Sequence, residues 1–157
     1  MIHFSIPGFN ENLDIGTLVL DFNGTLAVDG KLIPGVKERL IALSKSITVH
    51  VVTGNSFGTA LDELKGIPCK TFLLSPRNQA KEKYDYLMTL NPDTVISIGN
   101  GRNDKRLLET SAIGIIVIQE EGASAETLAS ADVVCTSILN ALDLLANPIR
   151  LTATLRN

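Results

Sequence analysis

A chain of 157 residues has the length of one domain, and a chain of that size buries roughly 68–70% of its unfolded surface without a disulfide or metal staple. Hydrophobic residues make up 45%, charged residues 20% and aromatics 4%, with no Trp and a net charge of −3. This balance argues against a nucleic-acid binder, which needs stacking aromatics or a basic surface. Cys69 and Cys135 form no CxxC pair and read as reduced, structural thiols. Met1 to Pro7 lacks the charged and long apolar regions of a signal peptide. The longest strongly apolar stretch, Ile113 to Ile118, is too short to span a bilayer. The expectation is a soluble, cytoplasmic chain forming one domain over residues 1–157.

The first apolar run, Thr17 to Phe22, reads as a buried strand carrying Asp21 near its end. Leu26 to Ile33 follows at once and reads as two short strands around Asp29-Gly30, which suits the positive φ angles of a tight hairpin. Val36 to Ser44 is a predicted helix with Pro34 near its start and Val36, Leu40 and Ile41 on one face. Ile47 to Val52 is a second strand, Phe57 to Leu64 a helix, and Thr71 to Leu74 a third strand. Ala80 to Leu90 is predicted helical, with Ala80, Tyr84, Leu87 and Met88 together on one face. Thr94 to Ile98 and Ile113 to Ile118 are further strands, separated by a helix over Asp104 to Thr110. Ser124 to Ala129 is a helix and Ala131 to Cys135 a short strand. Ile138 to Leu145 closes the core and Asn147-Pro148 stops it. Leu151 and Leu155 then stand at helical spacing in the tail. No repeat, low-complexity segment or linker interrupts the alternation. The fold class is α/β: a Rossmann-like open parallel sheet of about five to six strands, helices on both faces, and a β-hairpin flap after the first strand.

Open parallel sheets bind ligands beyond the carboxyl ends of their strands. After the first run stands Asp21-Phe22-Asn23-Gly24-Thr25, and after the second Thr53-Gly54-Asn55. Lys81 lies near the start of the helix after the third run, and Gly99-Asn100-Gly101-Arg102-Asn103-Asp104 follows the fourth. This inventory suits phosphate with a divalent cation. The ordered set resembles the haloacid dehalogenase-like superfamily of aspartate-nucleophile phosphatases. Within it, the likeness is greatest to the phosphorylation domain of P-type ATPases as found in soluble relatives. That group carries D-x-x-G-T, T-G-D, a Lys and G-D-G-x-N-D in this order, and the resemblance covers nearly the whole chain.

The resemblance implies Asp21 as the nucleophile that forms an aspartyl-phosphate, splitting one displacement into two steps. Thr53, the backbone N–H of Gly54 and Asn55 are expected to hold phosphoryl oxygens. Lys81 is expected to neutralise charge on Asp21 and the phosphoryl group, with Lys83 as its rival. Mg²⁺ is expected on Asp21, Asn23 (through its carbonyl), Asn100 and Asp104. A cation is called for because two anions near 4 Å repel by about 4 kcal/mol at an effective dielectric of 20. Arg102 is either a substrate contact or a surface residue. His50, inside a strand, reads as a core or supporting histidine.

Three amides depart from the pattern. Asn23 stands where many of these phosphatases carry an acid–base Asp, whose loss costs roughly 10²–10⁴-fold. P-type ATPases also lack that acid, and their aspartyl-phosphate is long-lived. Asn55 replaces the Asp of T-G-D, and Asn100 replaces the first Asp of G-D-G-x-N-D. A weaker Mg²⁺ site and slow turnover of poor leaving groups follow. The alternative is a phosphate-binding or regulatory relative with little turnover. The 32 positions from Asp21 to Thr53 and the 28 from Thr53 to Lys81 leave no room for a cap domain or a pump's nucleotide-binding domain. An uncapped site suits a phosphorylated small molecule, a bulky phosphorylated substrate, or a homo-oligomer in which a second subunit covers it.

Overall fold

Six parallel strands lie side by side at the centre of the computed structural model, which describes residues 1–157. In chain order the strands are β1 (Ile2–Ile6), β2 (Asn10–Ile15), β3 (Thr17–Leu20), β4 (Ala27–Val28), β5 (Lys31–Leu32), β6 (Thr48–Thr53), β7 (Lys70–Leu73), β8 (Val95–Gly99), β9 (Ile113–Val117) and β10 (Val133–Cys135). The helices are α1 (Val36–Leu43), α2 (Ala60–Glu63), α3 (Gln79–Met88), α4 (Lys105–Thr110), α5 (Ala125–Leu128), α6 (Ile138–Ala146) and α7 (Pro148–Leu155). The main sheet runs β10-β9-β8-β3-β6-β7, and every neighbouring pair is parallel. No helix is long and apolar enough to cross a membrane.

Alternation along the buried strands divides the core between the two faces of the sheet. Leu18, Leu20, Val49, Val51, Ile96 and Ile98 join a cluster of 30 buried residues with Val36 and Leu40 of α1 and Leu142 and Leu145 of α6. Val19, Val52 and Val95 point the other way and meet Leu87 of α3 and Leu107 of α4 in a cluster of six. Helices therefore cover both faces, because a strand buried on both sides must alternate between two apolar surfaces.

The expected flap is present. β4 and β5 pair antiparallel around Asp29 (φ 50°) and Gly30 (φ 76°), the two positive angles of a type I′ turn. It is pinned rather than free: Glu63 accepts the N–H of Leu32 at 2.8 Å, and the Thr59 hydroxyl donates to the carbonyl of Gly30. A second hairpin, β1–β2, is absent from the sequence-based expectation. Its period-two pattern is nonetheless written in the chain. Phe4, Ile6, Leu13 and Ile15 are buried and enter the large cluster, while His3, Ser5, Asn12 and Asp14 are not buried.

Candidate active site

β3 lies between β6 and β8, so the loops leaving these three strands meet at one end of the sheet, beside the point where strand order reverses. A cavity of about 380 Å³ opens there and has no hydrophobic residue in its lining. Asp21 and Asn23 reach it from the β3 loop, Thr53 and Gly54 from the end of β6, and Asn100 and Arg102 from the loop after β8. A larger depression of about 600 Å³ lies around Lys45, Thr48 and Lys70 at the opposite strand ends. No carboxylate lines it.

Three charges form the base of the small cavity. Lys83 of α3 is 1% exposed, and its Nζ donates to Asp21 Oδ1 and to Asp104 Oδ1 at 2.6 Å each. Asp104 Oδ2 accepts the backbone N–H of Asn100 at 3.0 Å and of Gly101 at 2.9 Å. This folded-back carboxylate explains Gly99: a Cβ there would fall 2.5 Å from Asp104 Cγ. The Thr25 hydroxyl lies between Asp21 Oδ2, at 3.1 Å, and Asn100 Oδ1, at 3.3 Å. Asn100 is oriented by its own Nδ2, which donates to the carbonyl of Gly122 at 3.0 Å.

Burial pushes the carboxyl of Asp21 up to about 6, against the pull of Lys83, and the nearby Asp104 adds to the rise. For Lys83, burial disfavours the ammonium, but Asp104 and then Asp21 outweigh it and hold the amine above its usual range. Two carboxylates share one ammonium, and Asp104 has two further N–H donors.

Three expectations need correction. The sequence points to Lys81, but Lys81 is exposed and pairs with Asp85 one turn along α3. Lys83 occupies the position instead. Two residues on a helix differ by about 200°, so only one of these lysines can face the sheet. The inner face of α3 is set by Lys83 and Leu87, whereas Ala80 and Met88 are exposed. Asp104, expected on the metal, is wholly buried and turned away from the cavity, with both oxygens taken by N–H donors. Asn55, expected on phosphate, does not line the cavity: it adopts φ 52° and its Oδ1 accepts the N–H of Ala60 at 3.1 Å, tying the loop to α2.

The fold also brings in residues to which the motifs assigned no role. Ser56, Gln79 and Asn103 line the cavity. Asn103 Nδ2 donates to Gln79 Oε1 at 3.1 Å, and its Oδ1 lies 3.4 Å from Lys83 Nζ. Asn103 was legible as part of the run after β8; Gln79 opens α3 and carried no signal of its own. Arg102 lines the cavity with an exposed side chain whose Nε donates to Glu126 at 3.2 Å. His50 is buried beneath α3, its Nδ1 2.8 Å from the Tyr86 hydroxyl, and takes no part in the cavity.

Of the residues expected to hold Mg²⁺, Asp21, Asn23 and Asn100 line the cavity. One carboxylate and amide or carbonyl oxygens are the hard donors this ion accepts alongside phosphate and water. Asn23 Oδ1 is buried and has no hydrogen-bond partner, an orphaned oxygen that a cation would satisfy. The donor set therefore fits Mg²⁺, with a single carboxylate facing the cavity.

No family model matches the chain. It is 50% identical over 68 residues to the uncharacterized protein MJ0073 of Methanocaldococcus jannaschii, a match covering 43% of the chain and 73% of that relative. The chain belongs to one family with that protein. Among solved structures, it is similar to the cobalt-bound deoxy-D-mannose-octulosonate 8-phosphate phosphatase of Haemophilus influenzae, with a TM-score of 0.70 at 15% identity over 88% of this chain and 89% of that one. It is also similar to 3-deoxy-D-manno-octulosonate 8-phosphate phosphatase of Moraxella catarrhalis in complex with magnesium, phosphate and KDO. That TM-score is 0.65 at 18% identity, over 90% of this chain and 94% of that one. The fold is that of the haloacid dehalogenase-like hydrolases. Asp21 and Asp104, joined by Lys83, lie at the strand ends where such open sheets bind ligands.

Proposed function

We propose that the chain is a phosphatase that transfers a phosphoryl group to Asp21 and then to water. The observation that carries this reading is the buried Lys83, bonded at once to Asp21 and Asp104 below a cavity with no apolar lining. A carboxylate oxygen of Asp21 attacks phosphorus, the bond to the ester oxygen breaks, and the leaving oxygen takes its proton from water. Water then attacks the phosphorus of the aspartyl-phosphate. The bond to Asp21 breaks, releasing inorganic phosphate and restoring the carboxylate. Lys83 lowers the repulsion between Asp21 and the incoming anion, while the Thr53 hydroxyl and the Gly54 N–H receive phosphoryl oxygens. A magnesium ion held by Asp21, Asn23 and Asn100 would supply further positive charge to those oxygens.

Asn23 has no proton to give to the leaving group near neutral pH, so esters with good leaving groups are the favoured substrates. The polar lining suits a hydrophilic phosphorylated small molecule, in keeping with the octulosonate 8-phosphate phosphatases that share the fold. A second reading, a phosphate-binding or regulatory protein with little turnover, rests on the amides Asn23 and Asn100 in the cavity wall. Hydrolysis of p-nitrophenyl phosphate separates the two, because its leaving group needs no acid. Turnover that is lost in Asp21→Asn is the expected result; turnover equal to that variant would replace the enzyme by the binding protein.

A further inference from the structure

Charge around the cavity does not balance for either ligand alone. Asp21, Asp104 and Lys83 sum to one negative charge, and the ammonium already lies 2.6 Å from both carboxylates. Asp104 does not line the cavity, and its oxygens already accept two backbone N–H groups and Lys83. Asn23 and Asn100 contribute neutral oxygens at the cavity wall. A divalent cation entering by itself would meet one charged ligand, Asp21, whose charge Lys83 compensates in part. A phosphate dianion entering by itself would face the Asp21 carboxylate, with Arg102 tied to Glu126 at the exposed rim. Together, cation and dianion cancel, and phosphate oxygens complete a coordination shell that the protein leaves short.

We infer that the divalent cation is not a resident of this site but enters with the phosphorylated ligand, each binding more tightly when the other is present. The amides at 23 and 100 create this dependence, because an acid at either position would charge the metal site on its own. By linkage the coupling is reciprocal: phosphate raises the affinity for the cation by the factor by which the cation raises the affinity for phosphate. This inference rests on the phosphoryl-binding role proposed for Asp21.

The test is calorimetry on the full chain with Mg²⁺ alone, inorganic phosphate alone, and phosphate in saturating Mg²⁺, with Mn²⁺ electron paramagnetic resonance as a second reading of free metal. Binding of phosphate about 5–150-fold tighter with Mg²⁺ than without it, and no Mn²⁺ uptake before phosphate is added, is the expected pattern. Asn100→Asp is expected to take up Mn²⁺ without phosphate. Mn²⁺ uptake by the unmodified chain alone overturns the inference, as does phosphate binding of equal strength with and without Mg²⁺. No phosphate binding under any condition overturns the phosphoryl reading itself, and the coupling with it.

Discussion

Beneath the cavity, three full charges are almost wholly buried and bonded at 2.6 Å; around its mouth, amides, hydroxyls and one exposed guanidinium do the lining. The two layers face opposite electrostatic demands. A buried carboxylate without a partner is strongly destabilising, so neither acid at the base can lose Lys83 without cost to the fold. Asn23 and Asn100 in the wall are neutral, so their buried oxygens call for a hydrogen bond or a cation but for no counter-charge. Charge is thus retained where each buried carboxylate has an ammonium beside it. It is absent at the wall positions where the proposed reaction would draw on an acid or a charged metal ligand.

The sharpest way to break this contrast is at its base. Lys83→Ala leaves Asp21 and Asp104 facing each other unpaired and is expected to cost about 3–5 kcal/mol of stability, read as a lower midpoint in denaturant. At the cavity wall, Asn23→Asp puts a carboxylate where a buried oxygen has no hydrogen-bond partner, and is expected to lower that midpoint when no cation is present. It should raise hydrolysis of an alkyl phosphate by roughly 10²–10⁴-fold, the ordinary worth of a general acid. Unchanged alkyl phosphate turnover would remove the missing-acid account of Asn23.

Acidity sharpens the comparison more gently. Asp21 is raised from 3.8 to about 6, so the carboxylate proposed to attack phosphorus forms as pH rises through that value. Phosphoryl transfer is expected to fall about tenfold for each pH unit below it. The linked effect on folding has the opposite sense. The contribution from a protonated Asp21 is fully present below the unfolded value and is lost as pH climbs through about 6. The difference in thermal midpoint between the unmodified chain and Asp21→Asn should therefore shift against the unmodified chain across that window. The smallest effect belongs to the other lysine of α3: Lys81→Ala removes an exposed pair with Asp85 and should change stability by no more than about 0.5 kcal/mol, with phosphatase activity unaltered.

Much of the site was legible because its residues stand directly after strands. Asp21, Thr53, Gly54 and Asn100 follow apolar runs, and strand ends have no freedom to point elsewhere. α3 was harder. Ala80, Tyr84, Leu87 and Met88 read as one apolar face, but Ala80 and Met88 are exposed and Lys83 joins Leu87 inside, so the pattern did not fix the rotation that separates Lys81 from Lys83. Hydrogen-bond direction was likewise hidden: nothing in the run Gly99 to Asp104 says that the Asp104 carboxylate folds back onto the N–H groups of Asn100 and Gly101. The β1–β2 hairpin was written in a period-two pattern that short, polar-rich strands share with loops.

The sequence by itself determined the α/β alternation, the parallel strands and the Asp29-Gly30 hairpin, because backbone preference and hydrophobic periodicity act locally. It also placed the polar residues of four strand ends in order along the chain. Only the tertiary structure decided which lysine is buried, which carboxylate faces the cavity, and which amide is spent on holding a loop. Those outcomes depend on helix rotation and on competition among donors from β3, β8 and α3. The chain brings these elements together across 62 positions between Asp21 and Lys83, beyond the reach of any local signal.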